Sequence, residues 1–159
     1  MNAKGQQRIA AIIRNHRWAA LATQGEEGPE ISWVAYVAEI DFSSFLLHLS
    51  RLAPHTRNLL RDPRTCLAIS EQEQEGGDPQ LLARVMIQGH VDVIDRETAA
   101  YAEAARRYQE RLPDSASWFG FGDFVLFRLM PERVRFVSGF AQSYTLDVEG
   151  LQRAALAER

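Results

Sequence analysis

The sequence predicts a mainly β protein, an antiparallel Greek-key or meander barrel with helices at its periphery. Two observations carry that prediction. Short runs rich in β-branched and aromatic residues recur along the chain, separated by glycine, proline and aspartate. Helical patterns occur in few places and do not alternate with the strands, as they would in a parallel α/β sheet. With 159 residues the chain fits one domain, residues 1–159, large enough to bury roughly two-thirds of its unfolded surface.

Over residues 6–18, Ile9, Ile12, Ile13 and Trp18 suit one helical face, with Arg8, Arg14 and Arg17 between them. Residues 18–23 follow as a strand and 24–29 as a polar turn. A second strand is expected over 30–40, where Ile31, Trp33, Val34, Tyr36 and Val37 have shapes that pack on a pleated surface. Residues 41–44 turn the chain into 45–49, which is nearly all apolar and so reads as buried on both faces. Pro54 opens a short helix over 55–61, where its missing N–H wastes no bond, and Asp62-Pro63 stops it before a strand at 65–69.

Residues 71–79 are acidic and glycine-bearing and read as a mobile hairpin loop. The strand at 82–94 carries Gly89 in its middle, the mark of a bulge or a close backbone approach. Residues 96–112 are rich in alanine and end at Pro113, as a helix does. Residues 124–130 and 134–137 read as two strands joined at Pro131-Glu132-Arg133, and 148–159 as a loosely attached tail.

Composition excludes several classes. At 46% hydrophobic and 25% charged residues the chain is neither disordered nor fibrous. A net charge of −3 without a basic face speaks against nucleic acid. Lys4 is the only lysine, so every other side-chain cation apart from histidine is a planar guanidinium suited to carboxylates and phosphates, although a genome rich in G and C gives the same bias. Cys66, the only cysteine, sits in an apolar strand and is expected to be a buried, inert thiol. No run approaches the ~20 apolar residues that span a bilayer, and the polar start of the chain carries no leader pattern, so the expected address is the cytoplasm.

Signatures of hydrolases and nucleotide triphosphatases are missing from the sequence, and no catalytic residue is named. His16, His48, His55 and His90 are scattered and do not form a metal set; His48 and His90 read as satisfied, half-buried strand residues. The densest polar cluster is Ser50, Arg51, His55, Thr56, Arg57 and Asn58, where a buried strand gives way to a helix. Hydroxyls, guanidinium groups and free main-chain N–H groups there suit one anion such as a phosphate. The same residues also suit a solvated turn, with Ser50 or Thr56 capping the helix and the arginines in water.

The order and spacing of several pieces favour the first reading. Leu21-Ala22-Thr23, the stretch Leu49 to Leu59, Asp62-Pro63-Arg64, Arg84 to Gly89, Phe121-Gly122-Asp123-Phe124 and Arg133 to Ala141 together resemble the FMN-binding split barrels related to pyridoxamine 5′-phosphate oxidase, in their haem-utilisation branch. The resemblance covers residues 9–147. It implies a homodimer with FMN at the subunit interface. Ser50, Arg51, His55, Thr56 and Arg57 would hold the phosphate, Ser32, Trp33 and Val34 would line the isoalloxazine edge, and Arg84 would reach the flavin from a neighbouring strand. Gln142 and Tyr144 are the candidates for the half supplied by the second chain.

Departures narrow what the resemblance implies. The late tryptophan and arginine–histidine pair of the true oxidases are absent from residues 137–144, so oxidation of pyridoxamine phosphate is not expected. The branch's Gly-Phe-Gly-Arg-Ala turn reads Gly139-Phe140-Ala141-Gln142-Ser143. The expected function is a flavin-dependent oxidoreductase acting on a small molecule or electron donor, in which the cofactor carries the chemistry. The alternatives are a non-catalytic flavin or haem carrier or sensor, and a haem-degrading protein lacking the additional C-terminal domain common in that branch.

Overall fold

The computed structural model describes residues 1–139 and 142–157 of the chain. Helix α1 (Ala3–Asn15) starts at Asn2, whose side chain accepts from the Gly5 N–H, and buries Ile9, Ala10, Ile12 and Ile13. Strands β1 (Trp18–Gln24) and β2 (Pro29–Ala35) form an antiparallel hairpin. The expected strand at 30–40 is broken after Ala35, and Val37–Ala38 forms a separate short strand, β3, on a different neighbour. At the break the Tyr36 N–H bonds to Arg17 while its phenol donates to the Ile13 carbonyl, which ties α1 to the corner.

Strand β4 (Phe45–Ser50), helix α2 (Pro54–Arg61), β5 (Arg64–Ser70) and β6 (Arg84–Val93) follow, then helix α3 (Ala99–Arg111), capped by Thr98. A run of 3-10 turns, Pro113–Gly120, leads into β7 (Phe124–Gly139), and β8 (Gln142–Leu146) and helix α4 (Val148–Ala155) close the described chain. All strand pairs are antiparallel, in the order β2-β1-β5-β6-β7-β4-β3, with β8 also on β7. The sheet is curled, so that its edge strand β2 comes near β4.

Inward residues alternate with outward ones. Leu21, Leu67, Ile69, Val85, Ile87, Phe127, Val134 and Phe136 fill the inside together with the buried face of α1. A smaller cluster of Val37, Leu46, Ile94, Ala104, Tyr108 and Leu126 packs α3 on the back of β3, β4 and β7. Strand β4 thus carries apolar side chains on both faces, as its composition predicts.

Three expectations are corrected, and the 71–79 loop gains an anchor at its first residue. The two strands expected at 124–130 and 134–137 are one, β7, which runs through Pro131. The β6 register shifts between Gln88 and Gly89 opposite that proline, so a residue without an N–H is accommodated at the irregularity. Gly89 is therefore both bulge and close approach: a Cβ there would overlap the Met130 carbonyl. The tail expected at 148–159 is helical over Val148–Ala155, and Leu151, Ala154 and Ala155 are buried because α4 packs against α1. The loop expected to be mobile begins at an anchored residue: Glu71 accepts two bonds from Arg8 at 2.7 Å and one from the Ala83 N–H. His48 is buried with neither ring nitrogen bonded, because aromatic rings and not polar groups surround it.

Candidate functional site

Strand β4 ends at Ser50, where the chain turns into α2. The Ser50 hydroxyl donates to Asp123 Oδ2 at 2.8 Å and accepts from the Leu52 N–H, while the Arg51 N–H donates to the Asp123 carbonyl at 2.7 Å. Helix α2 has Ala53 at its N-cap and no side-chain cap. Neither Ser50 nor Thr56 therefore caps the helix.

Of the five expected phosphate residues, Arg51 and Arg57 are exposed and His55 is half-buried, its imidazole pulled down by desolvation. The Arg57 guanidinium donates to the Leu52 carbonyl at 2.8 Å. Thr56 is 0% exposed, its hydroxyl turned into the interior without a partner, and Ser50 is engaged by a carboxylate. The far end of α2 is fixed to the hairpin: Asn58 donates to Thr23 Oγ1 and Glu30 Oε2, and Arg61 to the Gln24 carbonyl and Glu26.

On β2, Val34 is in the core and Ser32 points the same way, half-buried, so Val34 offers a ligand its main chain only. Trp33 points outward, 61% exposed, and stacks on Trp18 with centroids 6.4 Å apart and planes at 11°. Arg84 and Gln142 lie elsewhere. Ser50 pairs with Phe124 at the start of β7, whereas Arg84 pairs with Val137, thirteen positions along that strand. That is roughly 40 Å of extended chain, so one chain does not bring Arg84 to the phosphate cluster. Gln142 pairs with Gly139 at the Arg84 end, where the Ser138 hydroxyl donates to it. Phe140 and Ala141 of the expected turn lie outside the described residues.

Outward residues build a second feature. Trp33, Ala20, Ala68, Met86 and Arg135 stand side by side across five strands, and Ile31, Ala22, Cys66, Gln88 and Arg133 form the next row. Four small side chains thus make a trough between an aromatic wall on β2 and a long-chained, basic wall on β6 and β7. Cys66, expected to be buried, is half-buried on this outward face; desolvation still pushes its thiol up, which keeps it protonated.

The sequence gives no sign of a pocket of about 480 Å³ beside the end of β2, lined by His16, Arg17, Trp18, Tyr108, Asp114 and Trp118 among others. Those residues come from the α1–β1 turn, α3 and the Pro113–Gly120 run, so no local motif could have joined them. The link that follows the 3-10 segment reaches the anion cluster: Arg96 donates to the Phe121 and Phe124 carbonyls, and Asp123 holds Ser50.

A curled antiparallel sheet with an aromatic pocket at its open edge and a cationic turn after β4 defines a split-barrel protein. Residues 6–138 match the family model described as pyridoxamine 5′-phosphate oxidase, and the chain belongs to that family. It is 27% identical over 145 residues to haem oxygenase HutZ of Vibrio cholerae, covering 90% of this chain and 81% of HutZ. It is 32% identical over 139 residues to the chloroplastic non-canonical haem oxygenase HOZ of Arabidopsis thaliana, covering 86% of this chain but 41% of HOZ. A solved haem-binding protein from Mycobacterium smegmatis superposes with a TM-score of 0.82 at 27% identity, over 94% of this chain and 60% of that one. The chain thus spans less than two-thirds of the plant and mycobacterial proteins. Among the described residues no helix is long and apolar enough to cross a membrane.

Proposed function

We propose that this chain is a homodimeric haem-handling protein of the cytoplasm, a carrier or a participant in haem utilisation. The observation that carries the proposal is the pocket of about 480 Å³ beside β2, with indole walls at Trp18 and Trp118 and a guanidinium at Arg17. A porphyrin needs a concave apolar slot of this order and a cation for its propionates. Relatives named for haem support haem as the ligand. Bound iron would supply redox chemistry, and the chain would contribute binding, orientation and exclusion of water.

The trough supports a second chain. Its alanines and Cys66 leave space for the aromatic wall of a two-fold-related copy, since a self-complementary face pairs its own wall with its own groove. Such pairing would also supply Arg84 and Gln142 from the partner to a site that one chain leaves open.

A second reading, an FMN-dependent oxidoreductase with a small-molecule substrate or electron donor, is favoured by Arg51 and Arg57, both exposed and without a carboxylate ion pair among the described residues. In that reading His55 joins them, Ser32, Trp33 and the Val34 main chain line the ring, and Ser50 exchanges its bond to Asp123 for one to phosphate. Asp123 counts against it, because a carboxylate repels a phosphate at that point.

Parallel titrations of the purified chain with ferric haem and with FMN separate the readings. We expect a Soret band of bound haem at stoichiometric addition and weak or no quenching of flavin fluorescence. Tight flavin quenching that Arg57→Glu weakens at least tenfold, with no haem uptake, would replace the first reading by the second.

A further inference from the structure

We infer, resting on the haem reading above, that His16 is the protein ligand to the haem iron and that Arg17 is the partner of a haem propionate. Both stand at the turn from α1 into β1 and line the pocket between Trp18 and Trp118.

Iron in a haem takes a neutral imidazole nitrogen, a thiolate, a thioether or a phenolate from the protein. His16 Nδ1 lies 2.8 Å from the Ile12 carbonyl oxygen. A carbonyl can only accept, so Nδ1 carries a ring proton, and in the neutral tautomer that this bond selects the lone pair is on Nε2. Nε2 has no hydrogen-bond partner among the described residues. A carbonyl bond of this kind fixes tautomer and ring orientation and makes the free nitrogen more basic, which is how proteins prepare a ligating histidine. Ile12 is buried in α1 and His16 is the C-cap of that helix, so the ring is mounted on a rigid element.

The other histidines, Cys66 and Tyr108 are disqualified by their surroundings. His48 is 5% exposed and covered by Phe119, which leaves no approach to either nitrogen. His90 stands on the outer face with Nδ1 bonded to Glu132 at 2.7 Å and Nε2 turned to Asp92. His55 lies on α2, at the anion cluster and not in the wall of this pocket. Cys66 borders a different depression together with Thr65 and Gln88, and burial holds it as a thiol. Tyr108 shares the pocket, but desolvation pushes its phenol up to about 12, so it is not a phenolate at neutral pH.

The rest of the pocket matches the group. Trp18 and Trp118 offer exposed indole surface to a porphyrin, and each is braced from behind, by Trp33 and Phe124 respectively. Arg17 supplies a permanent, exposed fork adjacent to the ligand in sequence. Asp114, the acidic group of the wall, repels a carboxylate and so directs the propionates toward Arg17.

Absorption spectra of the full chain titrated with ferric haem test the assignment. The wild type should show the Soret and visible bands of nitrogen-ligated haem. His16→Ala should shift those bands and weaken binding at least tenfold, and added imidazole should restore the wild-type spectrum, a rescue that a merely structural role would not give. His16→Gln keeps a donor for the Ile12 carbonyl, so the same spectral shift there, with an unchanged circular dichroism melt, excludes misfolding as the cause. His90→Ala should leave the spectrum unaltered. Unchanged bands in both His16 variants, or a wild-type spectrum without nitrogen ligation, overturn the assignment while the haem reading stands. Failure of the wild type to take up haem overturns both.

Discussion

His48 lies face to face with Phe119, ring centroids 3.8 Å apart and planes within 5°, and neither of its nitrogens has a hydrogen-bond partner among the described residues. Tyr108 and Phe124 close the remaining sides, and Arg96 is the charged group that reaches it. Desolvation first and the Arg96 charge second pull the imidazole down to about 4 from its ordinary 6.5.

Stability should therefore depend on this ring in one pH window. Above pH 6.5 the imidazole is neutral folded and unfolded, and nothing is lost. As pH falls from 6.5 to about 4 the unfolded chain takes up a proton that the folded chain refuses, and folding weakens by up to roughly 3 kcal/mol. Denaturant titrations of His48→Phe against the wild type at pH 7 and pH 4.5 measure it. We expect the variant to equal or exceed the wild type at pH 7, because no bond is removed, and to be more stable by about 2–3 kcal/mol at pH 4.5. Parallel loss in both proteins would show that the ring gains a partner on acidification.

Gly89 tests the continuity of β7. Alanine there must push the Met130 carbonyl aside at the point where the β6–β7 register shifts. We expect Gly89→Ala to cost about 3 kcal/mol, read as a lowered melting temperature, with circular dichroism still showing sheet below the transition. A cost under 1 kcal/mol would mean that the bulge can migrate along β6.

The outer trough gives a test of association. Ala68→Arg puts a long cation at its centre without touching the core, since Ala68 points outward between Ala20 and Met86. Light scattering should show the mass falling from two chains to one, with an unchanged far-ultraviolet spectrum. If the variant stays dimeric, the second chain sits on another face, and Arg84 and Gln142 must be brought to the site by a different route.

Much of this architecture is legible in the sequence because local chemistry and tertiary demand agree. Strand β4 reads as buried on both faces and is, since α3 covers one face and the barrel interior the other. Gly89 announces its bulge, and Pro54 the start of α2. The failures have distinct physical origins. Pro131 reads as a break because a proline cannot donate, yet the compensating irregularity lies on the neighbouring strand, forty-two positions earlier at Gly89. β8 and α4 are short and polar on one side, and their burial comes from α1 and β7.

The site was legible in one dimension only. The cationic turn after β4 is contiguous in sequence and could be found there, although which way Thr56 points, and that Asp123 would claim Ser50, depends on a segment 73 positions away. The pocket beside β2 is assembled from stretches scattered between Asn15 and Trp118 and left no pattern to read.

The place of β7 in the sheet has a consequence for the order in which the chain is made. Strand β4 finds its partners in the two-residue β3 and in β7, and its last residue pairs with Phe124, 74 positions later. At roughly 5–20 residues per second, ribosomal synthesis leaves the apolar Phe45-Leu46-Leu47-His48-Leu49 edge unpaired for about 4–15 s. During that interval the strand that later anchors the cationic turn is an open aggregation template, and a nascent-chain chaperone would supply the cover that β7 provides afterwards.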